Sequence, residues 1–150
     1  MLRLLFVFRE DYIIRLIQQL VAVIARIAGL NRKGDHDKAL AVADQAWEKL
    51  LDAPRELIDA VDTPTLAAML REPDKLRIAA QLSYEEGRAL VGKGDPLHGQ
   101  IRYRRAMELI LEAHAIDPED QDDEMILELG RIVAMDTLDP RYRRASDRQT

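Results

Sequence analysis

The stretch DYIIRLIQQLVAVIARIAGL, residues 11–30, decides the fold, because its apolar residues recur at the spacing of an α-helix. One apolar row consists of Ile13, Ile17, Leu20, Ile24 and Ile27, and a second consists of Leu16, Val23 and Leu30. The strip suited to water is narrow and consists of Arg15, Gln19, Ala22 and Arg26. A helix that is apolar on more than one face is normally buried on several sides. We therefore expect this helix either in the core or at an interface.

The remaining sequence predicts further helices and no sheet. Helical periodicity continues over about residues 35–51, 54–61, 63–70, 73–93, 100–116 and 121–135. Pro54 and Pro64 suit the first turn of a helix, whereas Gly94-Asp95-Pro96 is expected to break one. Since no segment sustains the period-two alternation of a half-buried strand, the predicted fold class is all-α.

Length and composition limit the function. A length of 150 residues is enough for one domain with its own core. Charged residues make up 33% of the chain but nearly balance, and the net charge of −5 argues against a general nucleic-acid binder. The absence of cysteine excludes disulfides, thiolate metal sites and cysteine nucleophiles. This composition is compatible with the reducing cytoplasm, where we expect the protein.

Two N-terminal features bear on targeting. The first nine residues are mostly apolar, but Glu10 and Asp11 end the run, which argues against a cleaved secretory signal. Residues 12–30 approach the length of a membrane span, but their arginines and glutamines would be costly in a bilayer, which argues against an integral membrane protein. The expected organisation is an apolar N-terminal segment at 1–9, a helical domain at 10–136 and a basic tail at 137–150.

The titratable residues form no recognisable catalytic set. His36, His98 and His114 match no metal-ligand spacing, so each is interpreted as solvated or partly packed. Adjacent Glu85 and Glu86 would point about 100° apart on a helix, and we interpret them as part of a solvated face. The sequence therefore predicts no catalytic residue.

Two segments resemble ligand-binding loops only superficially. The acidic run at 117–128 has oxygen ligands at positions one, three, five and twelve of a calcium-binding EF-hand loop, but its sixth residue is Asp122, where that loop needs glycine. We interpret the run as the N-terminus of a helix, whose dipole its carboxylates complement. Gly92-Lys93-Gly94-Asp95 lacks the pattern of a phosphate-binding Walker loop. No metal or cofactor site is expected.

Basic residues cluster twice. The tail contains Arg141, Tyr142, Arg143, Arg144 and Arg148, and a predicted helix contains Arg102, Tyr103, Arg104 and Arg105. Such clusters can hold phosphates or stack on bases. We interpret the tail instead as disordered or docked on the protein's own acidic surface, and residues 102–105 as a solvated helix face.

Two turns carry a repeat signal. Gly34-Asp35, followed by Ala39 and Ala46 seven residues apart, resembles the inter-helix turn of a tetratricopeptide repeat and the small positions of its second helix. In a later pair of helices, Gly87 fits the glycine of the repeat's first helix. Ala106, Ala113 and Pro118 fit the small positions and the terminal proline of the second.

The match to the repeat is incomplete. The pairing of Gly87 with Ala106 requires about two extra helical turns, and the first helix of the chain has no glycine at the comparable site. A generic helical bundle would also place alanine and glycine where helices pack closely, so this alternative stays open. The expected architecture is therefore antiparallel tetratricopeptide-like hairpins that form a compact bundle or a short superhelix.

Residues 11–30 are also similar to the opening of an uncharacterised bacterial family of tetratricopeptide-like proteins. The resemblance covers the chain to about Pro118. It implies the fold, and it implies neither an activity nor site residues.

The leading hypothesis is a non-catalytic interaction or scaffold module with a protein or peptide partner, because the ends of stacked hairpins need a cap or a partner. Its expected interaction surface, through which a homodimer could also form, consists of Ile13, Ile17, Leu20, Ile24 and Ile27. The alternative is a regulator that binds a small molecule or nucleotide, or an enzyme, with a site in a helical groove. That alternative expects Tyr84, Tyr103 and His114 to converge in one pocket.

Overall fold

A computed structural model describes the backbone of residues 2–147 and the side chains of residues 11–143. Every regular element within 2–147 is a helix, which confirms the all-α prediction for these residues. The helices are α1 (Leu2–Arg32), α2 (His36–Lys49), α3 (Arg55–Ala60), α4 (Thr63–Leu70), α5 (Pro73–Gly92), α6 (Pro96–Ile116), α7 (Asp120–Gly130) and α8 (Pro140–Asp147). A short 3₁₀ turn, Met135–Thr137, connects α7 to α8.

Helix α1 packs on α2 and α5. Leu20 and Ile27 are completely buried in these contacts, and the strip predicted to face water is exposed at all four positions. The 31 residues of α1 span about 46 Å, whereas the 14 residues of α2 span about 21 Å. Helix α2 can therefore cover only about half the length of α1.

Two turns of the same backbone geometry connect α1 to α2 and α5 to α6. Gly34 and Gly94 have φ angles of 83° and 90°, a region that favours glycine. The amide of Asp35 donates to Leu30 O at 2.9 Å, and the amide of Asp95 donates to Leu90 O at 2.9 Å. Each is a Schellman motif, which ends the first helix and returns the chain alongside it.

The closest helix pair is α5 with α6, which forms the centre of the protein. A Cβ atom on Gly87 would lie 2.7 Å from the ring of Tyr103, and one on Gly99 would lie 2.7 Å from Val91 Cγ2. Real Cβ atoms essentially never approach so closely, so the close contact of the two helices depends on glycine at both positions. Around this pair, α1 and α2 pack on α5, and α4, α7 and α8 pack on α6.

Apart from the first helix, which begins at Leu2 rather than near Asp11, two predicted helix boundaries differ from the structure by four or five residues. Helix α6 begins at Pro96, four residues before the expected start, because Asp95 caps it by accepting a hydrogen bond from the amide of His98 at 3.3 Å. Helix α7 ends at Gly130 rather than near Met135, and the chain then turns so that Val133 and Leu138 are buried.

The expected terminal segments connect directly to the helical domain. Residue 9 lies inside α1, and residues 140–147 form α8. Tyr142 is 2% exposed and donates to Glu112 Oε2 at 2.8 Å, while Arg141 pairs with Glu112 Oε1 at 2.9 Å. The part of the tail at Arg141 and Tyr142 is thus docked on an acidic residue of α6, one of the two states expected for the tail. The side chains of residues 1–9, and those of Arg144 and Arg148, lie outside the described residues.

Among the described residues, one helix is long and apolar enough to cross a membrane, over Asp11–Arg32 of α1. The core helix of a soluble protein and an N-terminal signal sequence have the same properties. Four of its residues, Leu16, Leu20, Ile27 and Asn31, are buried against the rest of the chain.

Candidate interaction groove

Helices α1, α5 and α7 line two adjacent cavities, which are together called the groove. The cavities have volumes of about 340 and 360 Å³, lie along α5, and share Gln81, Gln121 and Met125 in their linings. The wall formed by α1 consists of Ile17, Val21 and Ile24. The floor formed by α5 includes Arg77, Gln81, Tyr84 and Glu85, and the wall formed by α7 includes Gln121, Asp122, Glu124, Met125 and Glu128.

The five residues of the expected interaction surface separate into three environments. Leu20 and Ile27 are completely buried and belong to the core. Ile17 and Ile24 are half-buried and line the groove. Ile13 lines a different cavity of about 600 Å³, which α1 forms with the α4–α5 connection. The accessible part of the surface is therefore the groove side of α1, where Val21 is 54% exposed.

The acidic wall begins with a well-bonded cluster around Asp122, which is 1% exposed. Arg77 donates to its two oxygens at 2.8 and 3.0 Å, and the ring of His114 lies 2.9 Å from Oδ2. Burial alone would raise the pKa of Asp122, but the hydrogen bonds from Arg77, His114 and the amide of Glu119 hold it below its usual range. This cluster fixes α7 against α5 and α6.

The start of α7 is a capping box. The side chain of Glu119 accepts a hydrogen bond from the backbone amide of Asp122, and the side chain of Asp122 accepts one from the backbone amide of Glu119. This confirms the interpretation of the acidic run as a helix N-terminus. Within the part of the chain whose side chains are described, no group of three or more potential ligands is placed to hold a metal ion.

The remainder of the acidic wall is open to solvent. Glu124 and Glu128 are both exposed and lie four residues apart on α7, where like charges repel each other. Tyr84 donates to Glu128 at 2.5 Å, and burial together with this bond raises the pKa of Tyr84. Neither glutamate forms an ion pair with another residue in the range 11–143.

The groove as a whole is acidic. Its lining contains six carboxylates, Asp74, Glu85, Glu119, Asp122, Glu124 and Glu128, against one guanidinium, that of Arg77. Arg77 is already bound to Asp122, and the neighbouring Arg88 pairs with Glu85 at 3.1 Å. The groove therefore suits cationic groups and repels phosphates.

Glu85 and Glu86 are buried, at 6% and 2% exposure, so their interpretation as a solvated face was wrong. Glu85 accepts from Asn31 Nδ2 at 2.8 Å. Glu86 accepts from Trp47 Nε1 at 3.1 Å and also pairs with Arg55. Burial raises the pKa of Glu86 despite these partners. Each carboxylate joins separate helices to α5, and this structural role explains its burial.

The imidazoles and tyrosines do not converge. His36 bonds to Asn31 at 3.0 Å, and His98 bonds to Asp95 at 2.9 Å. Tyr84 lines the groove and packs on Tyr103, with ring centroids 5.7 Å apart. Tyr103 and His114 line neither groove cavity. The expected convergence of Tyr84, Tyr103 and His114 in one pocket is therefore wrong for these two cavities.

The sequence predicts Ile17 and Ile24 of the apolar wall but not the groove, because its walls come from helices about 100 residues apart. Val21 shares their helical spacing and could have been predicted with them. Comparisons of the chain with protein-family models, curated proteins and solved structures found no match.

Proposed function

We propose that the protein is a non-catalytic interaction or scaffold module that binds a protein or peptide partner in the groove between α1, α5 and α7. The observation that carries the proposal is the groove itself, with partly exposed isoleucine and valine on one wall and the exposed carboxylates of Glu124 and Glu128 on the other. Apolar residues rimmed by polar ones are typical of protein interaction sites. The acidic lining disfavours a nucleotide at this site.

The proposal includes a tetratricopeptide-like arrangement, in which α1–α2 and α5–α6 are successive hairpins and α7 begins a third unit. It is supported by the two identical Schellman turns and by the close contact of Gly87 with α6. The groove is then the face formed by the first helix of each unit. A cytoplasmic bacterial protein that binds other proteins would fit this arrangement.

A peptide-display selection tests the proposed function. Selected peptides should bind the wild type and a Leu97→Glu variant equally, because Leu97 is 73% exposed on α6 and lies outside the groove. The same peptides should lose binding to Val21→Glu, which places a charge on the apolar wall. Recovery of no specific peptide, or equal binding to both variants, would contradict the proposal.

Self-association through α1 is the second arrangement that the apolar wall supports. Light scattering during size-exclusion chromatography distinguishes self-association from the binding of a different protein. A dimer that Val21→Glu dissociates and Leu97→Glu leaves intact would show that the wall is covered by a second copy.

A further inference from the structure

Helix α1 carries two apolar seams, and the outer one is less covered by the chain than the inner one. The inner seam, Leu16, Leu20, Val23, Ile27 and Leu30, faces α2 and α5. The outer seam, Ile14, Ile17, Val21, Ile24 and Ala28, has the same alternation of three- and four-residue steps. At 100° per residue, the middle of the outer seam lies about 120° around α1 from the middle of the inner one. Ile14 and Val21 of the outer seam are 52% and 54% exposed.

The step pattern of the outer seam is compatible with a helical partner. Alternating steps of three and four residues are the spacing at which a second helix inserts its side chains between those of the first. An extended peptide would instead present side chains at a period of two. The outer seam extends over about 20 Å, which corresponds to three to four turns of a partner helix.

The opposite wall indicates the charge of that partner. Glu124 and Glu128 lie beside Ile24 at one end of the groove, and their mutual repulsion is relieved by a cation between them. Since both side chains are exposed and no cation of the described chain pairs with them, a bound helix can reach them with lysine or arginine. One side of the partner must therefore be apolar and the adjacent side basic.

From these two walls, and resting on the proposed function, we infer that the partner segment is a basic amphipathic α-helix. Its apolar seam contacts the outer seam of α1, and its lysine or arginine residues face Glu124 and Glu128. The matching of an apolar stripe to an apolar wall and of cations to carboxylates sets both the orientation and the specificity of binding.

A second copy of α1 matches only one wall. Within the length of the outer seam, the cations of α1 are Arg15 and Arg26, which lie on the exposed strip about 150° around the helix from the seam. A second α1 would cover the apolar wall and would leave Glu124 and Glu128 without cations. The charge of the groove thus favours a different protein.

The inference is tested with three designed helical peptides that share one leucine seam and carry lysine, glutamine or glutamate beside it. Fluorescence anisotropy should show tightest binding of the lysine peptide, with the glutamate peptide about tenfold weaker or more. In a Glu124→Gln/Glu128→Gln double variant, the ratio of the dissociation constants of the glutamate and lysine peptides should fall about three- to tenfold. A matched control, Glu48→Gln/Glu56→Gln, removes two exposed carboxylates outside the groove and should keep the full difference.

The outcomes separate the inference from the function on which it rests. If the three peptides bind the wild type equally and do not bind Val21→Glu, the inference that the partner is basic is overturned. The groove would remain the binding site. If none of the three peptides binds, the inference of a helical partner is overturned. The groove would still be supported as the binding site if a display-selected peptide binds the wild type and does not bind Val21→Glu. A wild-type dimer that Val21→Glu dissociates would overturn the inference in favour of a second copy.

Discussion

Gly87→Ala tests the central contact between α5 and α6, because two opposing effects can be weighed. Alanine is favoured over glycine inside a helix by about 1 kcal/mol. The added Cβ would, however, lie 2.7 Å from two ring atoms of Tyr103, which is 7% exposed and packs on Tyr84. Overpacking of this kind costs about 1 to 3 kcal/mol, and the buried ring cannot move aside freely. Because the ring is held in place, we expect the overpacking to outweigh the gain in helix propensity, with a net loss of up to about 2 kcal/mol in the free energy of unfolding.

The control is Gly29→Ala in α1, where the nearest atom to an added Cβ is 3.8 Å away, at the end of the Arg32 side chain. Helix propensity should act alone there and raise stability by about 0.5 to 1 kcal/mol. Thermal unfolding followed by circular dichroism should therefore shift in opposite directions for the two variants, by about 2 to 4 °C per kcal/mol.

A second variant background tests whether the ring of Tyr103 causes the cost of Gly87→Ala. In Tyr103→Leu, the Gly87→Ala substitution should lose most of its cost, because the atoms that the Cβ meets are removed. Equal stabilisation by Gly87→Ala and Gly29→Ala in the wild-type background would refute the close contact of α5 with α6.

Three further predictions concern the cluster on α7, the core and the first turn. Asp122→Asn should lower the free energy of unfolding by about 3 kcal/mol in urea titrations, because a buried guanidinium loses its partner carboxylate, whereas Asp123→Asn should change it by less than about 0.5 kcal/mol. Since the folded pKa of Asp122 is lowered, its contribution is present above the unfolded pKa of about 3.9 and is lost as the pH falls through the folded pKa. Urea midpoints of the wild type should accordingly decline more steeply below pH 4 than those of Asp122→Asn, and parallel curves would contradict this assignment. Leu20→Ala should cost about 2 to 5 kcal/mol and Ile14→Ala less than about 1 kcal/mol by the same assay, and a larger effect at Ile14 would reverse the assignment of the two seams. Gly34→Ala should cost about 1 kcal/mol because of its positive φ, and an unchanged thermal midpoint would argue against the Schellman turn.

Helix existence could be predicted from local sequence, because periodicity and capping act within a few residues. The starts expected near Thr63 and Pro73 agree with the structure. The start of α6 carried the same kind of signal, Asp95 followed by Pro96, but the glycine before it favoured interpretation as a break. Helix α8 was missed because the burial of Tyr142 depends on Glu112, 30 residues earlier.

The buried carboxylates could not be predicted from their own neighbourhood. Glu85 is bonded to Asn31, 54 residues away, and Glu86 to Trp47, 39 residues away. Only the tertiary fold brings these partners together, so a local pattern presents both glutamates as solvated. The same limit applies to the groove, because its α7 wall packs on α6 and its α1 wall packs on α5, and the two walls meet only through the contact of α5 with α6.

The measurement that tests the central claim most directly is methyl NMR of the full chain, titrated with a display-selected peptide. We predict that the shift changes concentrate on the methyl groups of Ile17, Val21, Ile24 and Met125, which line the groove. Ile58, the buried residue of α3, and Ile116, exposed at the end of α6, should remain unchanged. Shift changes centred on Ile116, with the four groove residues unaffected, would contradict the proposal that the groove is the binding site.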